Sequence, residues 1–233
     1  MILIKNNLNR ANFARIIFYL LLTISIVFFY ALYEQYELLT DAKNGIAVTH
    51  QAAISNQMHI QIISVINIIL LCTSIIVFLM WIYRAYDNLT KLNITTLNFT
   101  PGWAVGFWFV PILSLVNPYT AMREIWEETQ NYTLSKEQKQ NLIKPTLVRI
   151  WWALYLTNIF VSYFVLIFFK GDSSIDGLLT LTTALMVSNT FTIAVKIVTL
   201  VMINKIAIFE KNLWDFANNS DNLQINSVDV SIV

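Results

Sequence analysis

Arginine and asparagine beside a tryptophan-rich membrane boundary suit the capture of a lipid phosphate or a polar partner, and the chain has both in Trp81-Ile82-Tyr83-Arg84-Ala85-Tyr86-Asp87-Asn88-Leu89. Aromatic rings here flank the first cation after a long uncharged run, as in a membrane-interface anchor. Arg84 with Asp87 and Asp87 with Lys91 have i,i+3 and i,i+4 spacing, so the helix is expected to run to about Leu92. A second polar group follows Asn117-Pro118: Met122, Ile125 and Trp126 share one helical face, and Arg123, Glu124, Glu127 and Glu128 lie largely on the other. Arg123 and Glu124 are close enough to the membrane to join Arg84 in one polar site. The candidate contacts for a lipid or protein ligand are therefore Trp81, Arg84, Asn88, Trp103, Trp108, Arg123, Glu124 and Trp126. The plainer alternative is a solvated charged face with aromatic anchors beside it.

Polar side chains also recur inside the apolar runs: Gln61, Ser64, Asn67 and Ser74; Tyr155, Asn158 and Ser162; Thr182, Asn189, Thr192 and Lys196. Asn67, Asn158, Asn189 and Lys196 are candidates for an intramembrane path for a small solute, against the simpler reading of helix-to-helix hydrogen bonds. Lys196 is the one charge within an apolar run, which makes it a functional candidate. It precedes Ile203 by about 10 Å of helix rise, so its stem is expected to snorkel to the headgroups. No acidic residue in the runs offers it a partner, which counts against a proton-coupled carboxylate transporter. His50 and His59 are few and lie too near the outer edge for a bis-histidine haem site inside the bundle, and the lone Cys72 allows neither an intrachain disulfide nor a cysteine zinc site. With no HExxH, GxSxG or glycine-rich phosphate loop, no catalytic, metal or cofactor residue is assigned. A lipid enzyme using Arg123 and Glu124 ranks third among the functions, for want of a recognisable mechanism.

The elements that must position these residues follow from composition. Of 233 residues, 12% are charged, about half the share in soluble domains, and 57% are hydrophobic, which indicates a membrane protein. A net charge of +1 gives no basic excess for nucleic acid. Four runs approach the roughly 20 apolar residues that cross a bilayer: 16–33, 58–83, 150–169 and 178–203. The first is too long for a signal core and lacks a cleavage site before Glu34, so it is expected to be retained. Residues 1–214 are expected to form one membrane domain, with external loops at 34–57 and 170–177, and 215–233 a disordered cytoplasmic tail.

The stretch 99–122 is uncharged but interrupted by Pro101, Gly102, Gly106, Pro111 and Pro118. If it does not cross, only Lys43 and Lys170 face outward and the other thirteen cations lie inside. A crossing would put nine outside, against the positive-inside rule. Four crossings with both termini cytoplasmic are therefore expected. Thr100-Pro101 and Asn117-Pro118 each have the form of a helix cap followed by proline. A helix over 101–110 would be about 15 Å long, suiting a re-entrant or an interfacial segment. The N-x-Ser/Thr triplets at Asn88, Asn93, Asn98, Asn131 and Asn218 fall on the cytoplasmic side and are expected by chance in an Asn-rich chain.

Residues 81–89, then Phe99-Thr100-Pro101-Gly102-Trp103-Ala104-Val105-Gly106-Phe107-Trp108-Phe109-Val110-Pro111, Asn117-Pro118-Tyr119 and Arg123-Glu124-Ile125-Trp126 resemble the bacterial family called domain of unknown function four-three-two-eight. That family often has tryptophan where this chain has Phe107, and arginine near Asn117. The resemblance is strongest over 81–126 and implies a bacterial integral membrane protein, with no activity, substrate or cofactor attached. The expected protein is an all-α integral membrane protein of the bacterial inner membrane: four transmembrane helices plus a proline-interrupted re-entrant or interfacial segment. It is expected to bind lipid, another membrane protein or itself without enzymatic activity; the alternative is a solute or ion channel or transporter. With Cys72→Ser and single cysteines at Ser135 or Ser173, an impermeant thiol reagent on intact cells should label Ser173 alone. Labelling at Ser135 would mean that 99–122 crosses the membrane.

Overall fold

A computed structural model of the chain describes residues 4–134, 139, 142–169 and 172–229, with side-chain positions as far as 218. Six α-helices follow in order: α1 Leu8–Lys43, α2 His50–Lys91, α3 Pro101–Gly106, α4 Asn117–Thr133, α5 Thr146–Phe168 and α6 Ile175–Asp229. Between α3 and α4 lie 3-10 turns at Phe107–Phe109 and Leu113–Leu115. No strand occurs among the described residues. Four helices are long and apolar enough to cross a membrane: Leu8–Lys43, His50–Lys91, Thr146–Phe168 and Ile175–Asn218. The chain is thus an all-α membrane protein.

Three of these helices outrun the apolar stretches inside them. The 42 residues of α2 rise about 63 Å at 1.5 Å per residue, twice the hydrocarbon thickness of roughly 30 Å. The 34–57 loop expected from hydropathy is correspondingly short, because α1 continues to Lys43 and α2 begins at His50. Gly45, at φ +76, ends α1: its N–H reaches Ala42 O at 3.2 Å and that of Ile46 reaches Asp41 O at 2.9 Å. This crossed pair needs a left-handed residue, which glycine supplies without a Cβ clash. Asn93, at φ 54, follows the end of α2. α6 stays helical through Asp229, within the segment expected to be a disordered tail, and 230–233 lie outside the described residues.

The chain divides into two compact units. One combines Met1–Arg15, Ile75–Ile150 and Val201–Val233. Its core holds Trp81, Ile82 and Leu89 of α2, Met122, Ile125 and Trp126 of α4, and Met202, Ile203 and Ile206 of α6. The Trp126 ring meets Phe209 edge-on at 5.0 Å. Its indole N–H donates to Ile143 O at 2.7 Å, while the Gln130 amide accepts from Ile143 N at 3.1 Å and donates to Ile143 O at 3.2 Å. Two side chains of α4 thereby hold the chain that leads into α5.

The other unit combines Ile16–Ser74 and Trp151–Leu200. Its outer surface is apolar, with Ile68, Ile69, Phe160, Tyr163 and Phe168 all exposed, as suits side chains bathed in lipid. Between α5 and α6 the polar groups form one antiparallel register: Trp151 Nε1 donates to Thr199 Oγ1 (3.0 Å), Thr192 Oγ1 to Asn158 Oδ1 (2.9 Å), and Ser162 and Ser188 share a bond of 3.2 Å. The partners step seven and then four residues along each helix, so one polar stripe on α5 faces one on α6. In the first unit, Gln130→Ala should lower stability by about 0.5–1.5 kcal/mol, the net worth of an ordinary hydrogen bond, because Ile143 N loses its partner while Ile143 O keeps the Trp126 indole. Thermal unfolding of the purified protein in detergent checks it, a midpoint equal to wild type counting against the Ile143 clamp.

Candidate functional site

The broken segment between α2 and α4 is positioned at its start by a buried acid. Glu124, about two turns into α4 and only 4% exposed, accepts from the Tyr86 hydroxyl and from the Asn98 side-chain amide. The Tyr86 oxygen in turn accepts from Phe99 N at 3.0 Å. One residue later Thr100 caps α3, its side chain accepting from Trp103 N at 3.4 Å. Pro101, which has no N–H to satisfy, opens the helix. Phe107 packs against Phe99 at 4.9 Å and stacks on Trp103 at 5.1 Å, and Trp108 meets Phe78 edge-on at 5.9 Å.

The helix expected over 101–110 is α-helical only to Gly106, then tightens to a 3-10 turn and becomes extended at Val110. Pro111 accounts for the break, since proline restricts the residue before it to extended backbone. The second cap also differs: α4 begins at Asn117 with Val116 in the cap position, and no side chain caps it. Between these breaks the segment turns apolar side chains outward. Ile112 is 81% exposed, Phe109 68% and Val116 61%, with Trp103, Leu113 and Leu115 also exposed. No charged residue lies between Phe99 and Met122.

The other candidate contacts part company. Trp81, Asn88, Glu124 and Trp126 are buried, each engaged within the protein. The Asn88 amide forms a reciprocal pair with the backbone of Lys5, accepting from its N–H at 2.9 Å and donating to its carbonyl at 2.8 Å. Arg84 lies 3.7 Å from Asp87, and Lys91 joins the same carboxylate at 2.8 Å. Arg123 is 3.8 Å from Glu127 and stands over the Tyr119 ring. The expected Arg84–Arg123–Glu124 site does not assemble in these contacts, because each arginine pairs on its own helix and Glu124 turns to Tyr86 and Asn98. Of the set, Trp103 and Trp108 belong to the outward-turned segment, and of these two Trp103 is the exposed one.

The intramembrane candidates mostly pair between helices of the second unit. Asn158 bonds Thr192, Asn189 Nδ2 donates to Ser25 O at 2.8 Å, and the Asn67 oxygen has no partner among the described residues. The expectation that Lys196 snorkels is corrected: it is buried, and its ammonium donates to Leu21 O at 3.1 Å and to the Ser25 hydroxyl. The small Ser25 lets α6 come close enough for a carbonyl and a hydroxyl of α1 to replace water. Open clefts indent this unit, among them one of about 520 Å³ beside the Lys43–Asp176 pair and one of about 350 Å³ beside Glu34, Glu37, Asp41 and His59.

Glu210, Asn7, Asn98 and Gln130 escaped the sequence reading. Glu210 had a visible signal, since it falls in the buried stripe Ile203, Ile206, Glu210, Leu213, Ala217 of α6. Asn7 had none, because its partners are 74 and 203 residues away. Ser25→Ala should destabilise the protein more than Lys196→Met, because the first leaves a buried ammonium with the Leu21 carbonyl alone while the second removes charge and need together. Paired thermal unfolding of the two variants checks it, and the reverse order would show that Ser25 does not hold the lysine.

No curated protein and no solved structure matches the chain. Residues 44–207 match the family described as Domain of unknown function (DUF4328). That match takes in α2, the whole broken segment, α4, α5 and the apolar run of α6, and over that extent the chain belongs to the DUF4328 family of membrane proteins, whose activity is unknown.

Proposed function

We propose that this protein is a non-enzymatic module of a bacterial inner membrane, both termini in the cytoplasm, which engages lipid through the broken segment 101–118. The observation that carries the reading is the outward turn of Trp103, Phe109, Ile112, Leu113, Leu115 and Val116 on a stretch without charge. Exposed apolar surface of this continuity marks an interaction site in a protein. Lipid is favoured over an aqueous partner because the flanking helices are themselves long and apolar enough to cross a membrane. An interfacial position is favoured over a re-entrant one because α3 is only six residues long and its following turns leave irregular backbone, which lipid tolerates only where protein or water satisfies it. Trp103 suits the headgroup boundary, where an amphipathic ring has one wet edge.

A solute path is the weaker reading. Three of its four candidate side chains bond a neighbouring helix, as ordinary membrane packing requires. With Cys72→Ser and Ile112→Cys, an environment-sensitive dye at position 112 in reconstituted vesicles should report an apolar surrounding. Lipids carrying a quencher near the headgroup should quench it more strongly than lipids quenched at the chain end. Emission characteristic of water would overturn lipid engagement, and stronger quenching from the chain end would overturn the interfacial placement.

A further inference from the structure

The first unit buries a carboxylate that the proposed lipid contact does not use. Glu210, 7% exposed, lies seven residues beyond the apolar run 178–203. Its Oε1 accepts from Asn7 Nδ2 at 2.6 Å and its Oε2 from Trp81 Nε1 at 2.8 Å. The same Asn7 Nδ2 also reaches Trp81 O at 3.1 Å, whereas Asn7 Oδ1, equally buried, has no partner among the described residues. One amide thus presents its donor to the carboxylate and leaves its acceptor idle beside it. A half-turn of that amide would present Oδ1 to a protonated Glu210, and Trp81 Nε1 would still donate to the other oxygen. As it stands the pair leaves Oδ1 without a partner among the described residues, and with the proton Oδ1 would gain a donor in exchange for the Nδ2–Trp81 O contact.

No cation compensates the charge. Ahead of α1, Lys5 is exposed; on α1, Arg10 donates to Met80 O at 3.3 Å and Arg15 to Asn204 Oδ1 at 3.0 Å. On α2, Arg84 and Lys91 share Asp87; on α4, Glu124 is taken by Tyr86 and Asn98, and Arg123 faces Glu127. On α6 itself, Lys205, Lys211 and Asp215 are exposed. None of these forms an ion pair with Glu210 among the described residues. Burial, opposed by the two hydrogen bonds, pushes the carboxyl up to about 7 from its ordinary 4.5.

We propose that Asn7 and Glu210 form a proton-operated latch, in which a proton taken up by Glu210 from water tightens the N-terminal segment 4–15 against α2 and α6, and its loss loosens that segment. The direction follows from linkage. Release of the segment opens Glu210 to water, where it ionises near its ordinary value, so the closed form binds the proton more tightly. The stabilisation of the closed form is full below about 4.5, falls as pH rises, and is gone above about 7. Between pH 6 and pH 8 the closed-to-open ratio should fall about tenfold. The Lys5 backbone, held at both its N–H and its carbonyl by the Asn88 amide, is a second tether that contains no ionisable group, so the segment loosens rather than departs.

Two measurements on the full chain in detergent test this. Infrared titration should show a protonated-carboxyl band that disappears with a midpoint between pH 6 and 8 and is missing in Glu210→Gln. A nitroxide on Asn6→Cys, with Cys72→Ser, should gain mobility over the same range. That gain should vanish in Glu210→Gln and in Asn7→Ala; the second variant leaves the carboxyl in place and serves if the first does not fold. A midpoint below pH 5.5, mobility that does not follow the band, or a mobility gain that persists in either variant would overturn the latch.

Discussion

The Glu210 carboxylate of α6 joins α2 and the residue that leads into α1 at one point, through Asn7 on one side and the Trp81 indole on the other. Withdrawing an ionised carboxylate from water costs several kcal/mol, while a hydrogen bond to a charged group returns roughly 1.5–3 kcal/mol. Neither donor alone balances the burial, so the three segments are held in one register or the acid is not accommodated. The same requirement recurs through the first unit. Glu124 needs both Tyr86 and Asn98, and Gln130 answers both polar groups of Ile143. Each buried polar group thus fixes a particular segment: the N-terminal stretch, the entry to α3, and the lead into α5. Apolar burial around Trp126, Ile206 and Met202 supplies cohesion without direction, and the polar pairs supply the direction.

The four long helices were legible in the sequence because a run such as 58–83 has few other uses than to cross a lipid layer. Their true lengths were not, since hydropathy measures the membrane and not the helix. Residues 34–43 are polar yet helical, and only Gly45 marks where α1 stops. The Thr100 cap was readable from its neighbour Pro101, whereas the Pro111 break cut short a helix that spacing alone carried to Val110. At the site, the apolar face of α4 was readable but the position of Glu124 was not. A charge at the edge of a stripe goes in or out according to the partner opposite, and Tyr86 is 38 residues away. Lys196 followed the same logic, its nearest acceptors lying on a helix more than 170 residues earlier.

In each unit, polar side chains are buried, but to different ends. In the second, Asn158–Thr192, Ser162–Ser188 and Trp151–Thr199 are neutral pairs along one helix–helix seam. Each is worth about 0.6 kcal/mol by the average for such pairs, and their shared register fixes how α5 sits on α6. In the first, the buried groups include two carboxylates, whose donors come from separate segments of chain. Neutral pairs of this kind hold a fixed register, whereas a buried acid couples its surroundings to protonation.

The broken segment combines these demands. Its entry is fixed by Glu124, Tyr86 and the Thr100 cap, and Pro118 seats its exit against the core of α4. The middle, from Phe109 to Val116, faces outward together with Trp103 of α3, and every large side chain in that middle is apolar. A loop retained merely as a connection would carry polar residues, because exposed backbone and side chains on the surface favour water. Rigid ends around an outward apolar middle suit a segment that meets a partner without reorganising. Among surroundings of that polarity, the lipid required by the neighbouring apolar helices is already at hand.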